Sequence, residues 1–390
     1  MLSLARYAEL LRIPGLRATL AASVIGRVPV GVTGLSLLLF VQATTQSFAH
    51  AGAASGCYVA GLACAAPAVG RVIDRWGPRR PLAASALLYP LALLLLVAAV
   101  RSAFPEWAVL GLAALAGASL PPITVCMRSY LKQQLGDHPL LVTAYSFESV
   151  LIETMFILGP MLVALFVAIS SAALGVMFAA GCAFAGTAFF LRSPALAHWR
   201  NMPPTRASLF GPLAERRFTV ILPVIFPYSI AFGLIEIGVT AFAAETGRRS
   251  LAGVMLGFMS AGSVLGGLAY GSRTWRPPIS RQLAIALFLM GVGAALLALL
   301  SRPLPFLLLG IVTGVVMAPI LAMQSLLVAR SASPDWTTEA FTWAATGLLA
   351  GVGLGIAAGG WMLAFAPASA VLAAAGAASI VASVLARSLL

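Results

Sequence analysis

Residues 70–80 read GRVIDRWGPRR, and five of these eleven residues are charged. On either side the chain turns apolar, over residues 48–70 before it and 80–100 after it. Each flank is long enough to cross a bilayer, which takes about 20 apolar residues in a helix. The stretch is therefore a short polar loop between two membrane crossings. The rest of the sequence has the same character: 61% of the 390 residues are hydrophobic and 9% are charged. A soluble domain carries about 25% charged residues, so this chain cannot build a water-exposed surface. Its net charge of +13 is spread along the edges of apolar blocks rather than gathered on one element, which excludes a nucleic-acid-binding reading.

Read outward from that loop, the length criterion gives twelve spans. They fall at 18–41, 48–70, 80–100, 106–130, 144–168, 170–191, 219–243, 250–271, 281–300, 304–329, 338–364 and 367–387. The first holds Arg27 and is too long for the apolar core of a signal peptide, so it reads as a retained helix. The longest connection, rich in proline and arginine, falls near the middle. It divides the chain into an N-terminal half at 1–192, a linker at 193–218 and a C-terminal half at 219–390. With the N-terminus inside, 19 of the 24 basic residues lie on cytoplasmic segments. Only Arg101, Arg248, Arg249 and Arg302 lie outside. This bias predicts that both termini are cytoplasmic. The halves also resemble each other, as internal repeats of transporters do. Gly117–Leu131, GASLPPITVCMRSYL, aligns with Gly314–Val328, GVVMAPILAMQSLLV. Gly117 falls on Gly314, Pro122 on Pro319 and Ile123 on Ile320. Farther on, Glu148 in SFES falls on Glu339 in TTEA.

The 70–80 loop resembles the signature loop of the major facilitator superfamily, roughly G-x-x-x-D-R-x-G-R-R, between helices two and three. Gly70, Asp74, Arg75, Gly77 and Arg79 fit that pattern, and Arg80 restores a charge lost to Pro78. The resemblance implies an all-α bundle of twelve membrane helices in two pseudo-symmetric six-helix halves. It also implies a cytoplasmic gate. Gly70 allows close helix approach, Gly77 a tight turn, and Asp74 with Arg75 forms charge pairs that break when the halves rock. Arg128, ending the fourth span, and Glu148, beginning the fifth, are expected to join Asp74 in that gate. The bland alternatives are a basic cluster with an incidental aspartate, and solvated charges at helix ends. The second-half loop, YGSRTWRPPISRQ, lacks the aspartate. In the fifth span, ILGPMLVA carries Gly159 and Pro160 and resembles the core of a helix-kink motif of drug:proton antiporters. Its flanking glycines are missing, with Met155 and Val163 in their place, and the fourth span has no arginine in its outer half. The combination of GRVPVGV, GRVIDRWG, FESVLIETMFILGP and TEAFTW is similar to a group of bacterial members that settles no substrate.

Four charges fall inside spans: Arg27, Glu148, Glu153 and Glu236. A charge at the bilayer centre costs at least ~2.5–3.5 kcal/mol, so each needs a partner or a purpose. Arg27 and Glu153 both lie about nine residues into their helices, hence near one level at ~1.5 Å per residue, which predicts a buried Arg27–Glu153 pair. Such a pair serves structure alone, couples proton movement to transport, or binds substrate through the Arg27 fork. Pro29, Gly31 and Gly34 loosen the helix beside it. Glu148 and Glu153 lie about 500° apart around their helix and point to different faces. Glu236 lies in the outer third of the seventh span and either collects protons or snorkels. Glu339 is expected to complement a helix start capped by Thr337 or Thr338.

Other chemistries have no motif here. Cys57, Cys64, Cys126 and Cys182 lie in apolar stretches without metal spacing. His50, His138 and His198 are loop or linker residues. No phosphate-cradling GxxxxGK[ST] and no catalytic triad pattern occurs, so neither an enzyme nor a cofactor or metal site is expected. Trp107, Trp199, Trp275 and Trp336 suit interfacial belts. The resulting expectation is a monomeric multi-pass protein of a bacterial inner membrane, exporting a small organic solute by alternating access driven by proton entry. Uptake of an anionic metabolite, a lipid or lysolipid flippase and a non-transporting sensor are the alternatives. Expected partners are the solute, protons and the lipid bilayer, with no nucleic acid.

Overall fold

A computed structural model describes residues 5–197, 199, 210–248 and 251–390. His198, Arg249 and part of the central linker lie outside the described residues. The twelve expected spans are present as helices. They are α1 (Leu16–Thr45), α2 (Phe48–Trp76), α3 (Arg79–Arg101), α4 (Glu106–Leu135), α5 (Leu140–Ile169), α6 (Ala172–Leu191), α7 (Arg216–Glu245), α8 (Leu251–Gly271), α9 (Ile279–Leu297), α10 (Pro303–Ser331), α11 (Pro334–Met362) and α12 (Ala368–Leu389). Several helices outrun their apolar runs. The backbone ladder continues into the polar flank, so α2 reaches Trp76 and α5 begins at Leu140. With twelve crossings both termini emerge on one face, called the terminal side below.

Helices α1–α6 and α7–α12 form two bundles built alike. The packing of α1 on α5, α1 on α6 and α2 on α4 returns as α7 on α11, α7 on α12 and α8 on α10. The repeat aligned in sequence has a structural counterpart. Helix α4 is interrupted between Ala118 and Ile123, and α10 between Gly314 and Met317. At these breaks a Cβ on Gly117 would lie 1.8 Å from the Tyr58 carbonyl oxygen of α2, and one on Gly314 would lie 2.0 Å from the Met259 oxygen of α8. Only glycine lets backbone meet backbone there. Gly31 does the same on α1. It was expected to loosen the helix, but it is a packing contact, since its Cβ would fall 2.2 Å from the Met155 oxygen of α5. Gly159 fits against Gly31 from the other side, and α5 runs through Pro160 without a break.

The bundles meet through α2 on α11 and α5 on α8, with α10 also against α5. The polar bonds across this seam lie toward the terminal side and reach no farther than mid-helix, where Thr346 Oγ1 donates to the Ala63 oxygen at 3.0 Å. Yet α2, α5, α8 and α11 are the least buried of the twelve spans. On all four helices the turns toward the termini are more buried than those beyond mid-helix, so the halves are closed together on the terminal side. A short helix that the sequence reading did not foresee, Ala5–Arg12, lies under the closed end. Its Tyr7 hydroxyl donates to the Leu268 oxygen at 2.9 Å and approaches the Gly267 oxygen at 3.3 Å, both on α8. Burial pushes that hydroxyl up to about 12, so it stays a donor at any physiological pH.

The glycine contacts give a paired test. Gly31→Ala forces a methyl into backbone and should destabilise by about 1–3 kcal/mol. Gly34→Ala has nothing within 4 Å and should be neutral or stabilising by up to about 1 kcal/mol. Denaturant unfolding in detergent micelles separates the two; equal effects would refute the close α1–α5 crossing.

Candidate functional site

Arg27 lies in the middle of α1 and is buried. Its Nη2 donates to Glu148 Oε2 at 2.6 Å, with the two side chains 2% and 0% exposed. The expected partner, Glu153, is not the one it meets. The reason is the start of α5. A helix beginning at Leu140 carries Glu148 about 12 Å from its end, deep enough to reach α1, whereas the apolar run alone placed Glu148 at the membrane edge. Glu153 then falls on another face. Arg27 keeps Nε and Nη1 without a partner, and Glu148 keeps Oε1 so.

Arg128 of α4 lies with this pair rather than with Asp74. Its guanidinium is buried within electrostatic reach of Glu148 and Arg27, with Tyr145 and Tyr228 beside it. It makes no ion pair among the described residues, and its Nε has no hydrogen-bond partner. Tyr145 donates its hydroxyl to the Arg128 carbonyl at 3.1 Å. From the opposite half, Tyr228 of α7 donates to Gln324 Oε1 of α10. The expected lock of Arg128, Glu148 and Asp74 is thus replaced by two separate clusters, because Arg128 and Glu148 sit deeper than Asp74.

Asp74 crosses the seam. Its Oδ1 accepts the Thr338 N–H at 3.0 Å and its Oδ2 the Glu339 N–H at 2.7 Å. A carboxylate thereby caps the first turn of α11, at the positive end of that helix. Arg71, which the sequence reading passed over, reaches Glu339 with two bonds, Nε to Oε2 at 3.0 Å and Nη2 to Oε1 at 2.6 Å. Ser129 of α4 and the Thr338 hydroxyl meet at 3.1 Å. Two expectations change here. Asp74 pairs with backbone amides rather than Arg75, and Arg75, Arg79 and Arg80 are exposed. Glu339 is a buried ion-pair partner, while the α11 cap comes from the other half; Thr337 bonds back to the Ser333 oxygen instead. Gly70 and Gly77 do what their positions suggest. A Cβ on Gly70 would stand 2.5 Å from Thr342 Oγ1 and 2.9 Å from the Glu339 Cα. Gly77, at φ 80°, ends α2.

Glu153 is half-buried on α5, beside the Ser260 and Ser263 hydroxyls of α8. Glu236 is exposed on α7 and makes no ion pair among the described residues. Among the described residues the two share no bond, and neither pairs with Arg27, whose carboxylate partner is Glu148. Among the described residues no group of histidine, cysteine and acidic side chains could hold a metal ion.

Neither a protein-family model nor a curated protein matches this chain. Solved structures do. A bacterial homologue of the iron transporter ferroportin, in an outward-facing state, superposes with a TM-score of 0.78 at 12% identity, over 95% of this chain and 98% of that one. The human organic anion transporter MFSD10 (TETRAN) gives 0.73 at 20% identity over 96% and 100%. The proton:xylose symporter XylE of the major facilitator superfamily gives 0.66 at 14% over 95% and 94%. The fold is that of the major facilitator superfamily. Residues 70–80 lie at the seam between α2 and α11, where Arg71 and Asp74 bond across it. Arg71, Tyr145, Tyr228 and Gln324 carried no signal in the sequence, since a single arginine in a basic loop and polar residues in apolar helices have many uses.

The Arg27–Glu148 pair is testable by a mutant cycle. Arg27→Ala leaves Glu148 buried without its hydrogen-bonded partner, with only Arg128 in electrostatic reach, and should cost about 3–5 kcal/mol, with part of it recovered in Arg27→Ala/Glu148→Ala. Recovery in Arg27→Ala/Glu153→Ala instead would restore the partner first expected.

Proposed function

We propose that this protein is a secondary active transporter that moves a small organic solute by alternating access of its two halves. The supporting observation is one-sided closure: the seam is bonded at the terminal side, and its helices are more exposed beyond mid-helix than toward the termini. In the orientation given by the basic residues, the terminal side is cytoplasmic and this is the outward-facing state, in a bacterial inner membrane. Asp74, Arg71, Glu339 and Gly70 then form the cytoplasmic gate, with Arg75, Arg79 and Arg80 on its surface. Hydrogen bonds to charged groups contribute about 1.5–3 kcal/mol each, so a few of them make a gate that substrate binding can open.

Export driven by proton entry is the direction we favour, with Glu153 and Glu236 as the proton-handling carboxyls. Protonated, Glu153 bonds the α8 serines and brings no charge into the seam. Ionised, it brings an unpaired one, and proton binding is thereby tied to how α5 meets α8. Uptake of an anionic metabolite is the second reading, favoured by the surplus positive charge around Arg27. The chain works as a monomer, with each half supplying its own face of the seam.

Cys126 reports the gate. It is fully buried next to Asp74. In a variant lacking the other three cysteines, Asp74→Ala should raise the maleimide labelling rate of Cys126 at unchanged fold, by about tenfold for a loss of about 1.4 kcal/mol of gate closure. An unaltered rate would refute the gate. The ratio of wild-type to Glu153→Gln labelling rates should rise as the medium is made alkaline, since ionised Glu153 loosens the seam. The ratio cancels the thiol's own pH response, and a flat ratio would remove Glu153 from proton coupling.

A further inference from the structure

The central cluster holds two guanidiniums, Arg27 and Arg128, against one carboxylate, Glu148, and so carries one positive charge in excess. The other acidic groups near it are committed elsewhere. Asp74 holds the first amides of α11, Glu339 holds Arg71, and Glu153 faces the serines of α8. Arg27 uses one nitrogen on Glu148 and leaves Nε and Nη1 as unpaired buried donors; Arg128 leaves Nε. Buried guanidinium donors without acceptors are costly, and the fork geometry of arginine matches a planar oxyanion. Arg128 lies within electrostatic reach of Tyr228 of the opposite half and is 9% exposed.

We propose that Arg27 and Arg128 bind the oxyanion of a small organic monoanion, of the carboxylate or sulfonate type, and that Glu148 sets the charge the site accepts. The proposal rests on the transporter reading and deepens it, whichever way the solute travels. A monoanion brings the cluster to neutrality. A dianion leaves it negative, and a neutral ligand leaves the excess guanidinium unanswered. The surroundings suit an organic body: Tyr145 meets Phe341 edge-on at 6.0 Å, and Tyr228 meets Phe232 at 5.6 Å. Tyr228 occupies the Gln324 oxygen, which leaves the Gln324 amide nitrogen as a further donor. Arg27 is held by Glu148 through Nη2 alone, so an oxyanion taken up by its Nε and Nη1 would leave that bond in place.

The test is thermal stabilisation of the purified full-length protein by acetate, benzoate, benzenesulfonate, phthalate, neutral benzamide and short-chain phosphatidylglycerol. Benzoate or benzenesulfonate should stabilise the wild type, benzamide should not, and phthalate should act more weakly. Arg128→Gln removes an unpaired charge and should keep the fold while weakening benzoate at least about tenfold; Arg128→Lys should restore part of the response. Glu148→Gln should switch the preference from benzoate to phthalate, a reversal that a merely structural carboxylate would not produce. Should Glu148→Gln fail to fold, Arg128→Gln decides alone. Equal stabilisation by benzamide, a benzoate response that survives Arg128→Gln, or no response to any soluble monoanion overturns the proposal. Stabilisation by phosphatidylglycerol alone also overturns it, assigning the site to a lipid phosphodiester. Benzoate binding with a Cys126 rate indifferent to Asp74→Ala would sink the transporter reading and leave the anion site standing; the opposite pattern would do the reverse.

Discussion

A charge inside a membrane has to be answered by another charge or by a helix end, and that constraint organises the closed side of this protein. The chain uses both solutions. Arg27 and Glu148 answer each other within one half, at 2.6 Å and out of reach of water. Across the seam, Asp74 answers the positive end of α11 and Arg71 answers Glu339. The capping carboxylate and the helix it caps belong to different halves. The halves therefore cannot part on that side without stripping a first turn of its acceptor and two buried acids of their donors.

The two halves are alike in backbone and unlike in charge. Glu148 and Glu339 align in the sequence repeat, yet Glu148 lies well inside α5 and turns to α1, while Glu339 lies in the first turn of α11 and turns to α2. Between α2 and α11 the seam is ionic. Between α5 and α8 it holds no ion pair among the described residues: it is made by the Thr143 hydroxyl on the Gly271 oxygen at 2.8 Å, by Glu153 beside the Ser260 and Ser263 hydroxyls, by Tyr7 on the α8 carbonyls, and by small residues. An ionic contact is strong at short range and fails once the groups separate, while a neutral one lets helices slide with little change in energy. On the alternating-access reading proposed above, that difference lets α5 stay near α8 while α2 parts from α11. Helices crossing on glycine, such as Gly31 on Gly159, keep each half stiff while this happens, because interlocked backbones leave no room for internal rearrangement.

The excess charge at the centre is the counterpart of this economy elsewhere. Asp74 and Glu339 have defined donors, so the unanswered guanidinium edge at Arg27 and Arg128 stands out as a feature the scaffold does not require.

The sequence by itself determined the twelve spans, the division into halves and the crossing on Gly70. Each depends on local composition or on the size of one side chain: a run of apolar residues must be a helix in lipid, and a glycine is where backbones can touch. It also showed that Arg27 needed an answer. Which carboxylate gives it was decided by tertiary structure. Glu148 and Glu153 are both acids on the same helix, and the choice turned on the start of α5 at Leu140, set by polar residues that apolar length does not detect. The same holds for Asp74. Its neighbour Arg75 was the partner nearest in sequence, but an exposed pair gains little in water, while the amides of α11, 264 and 265 residues away, present buried donors that nothing else satisfies.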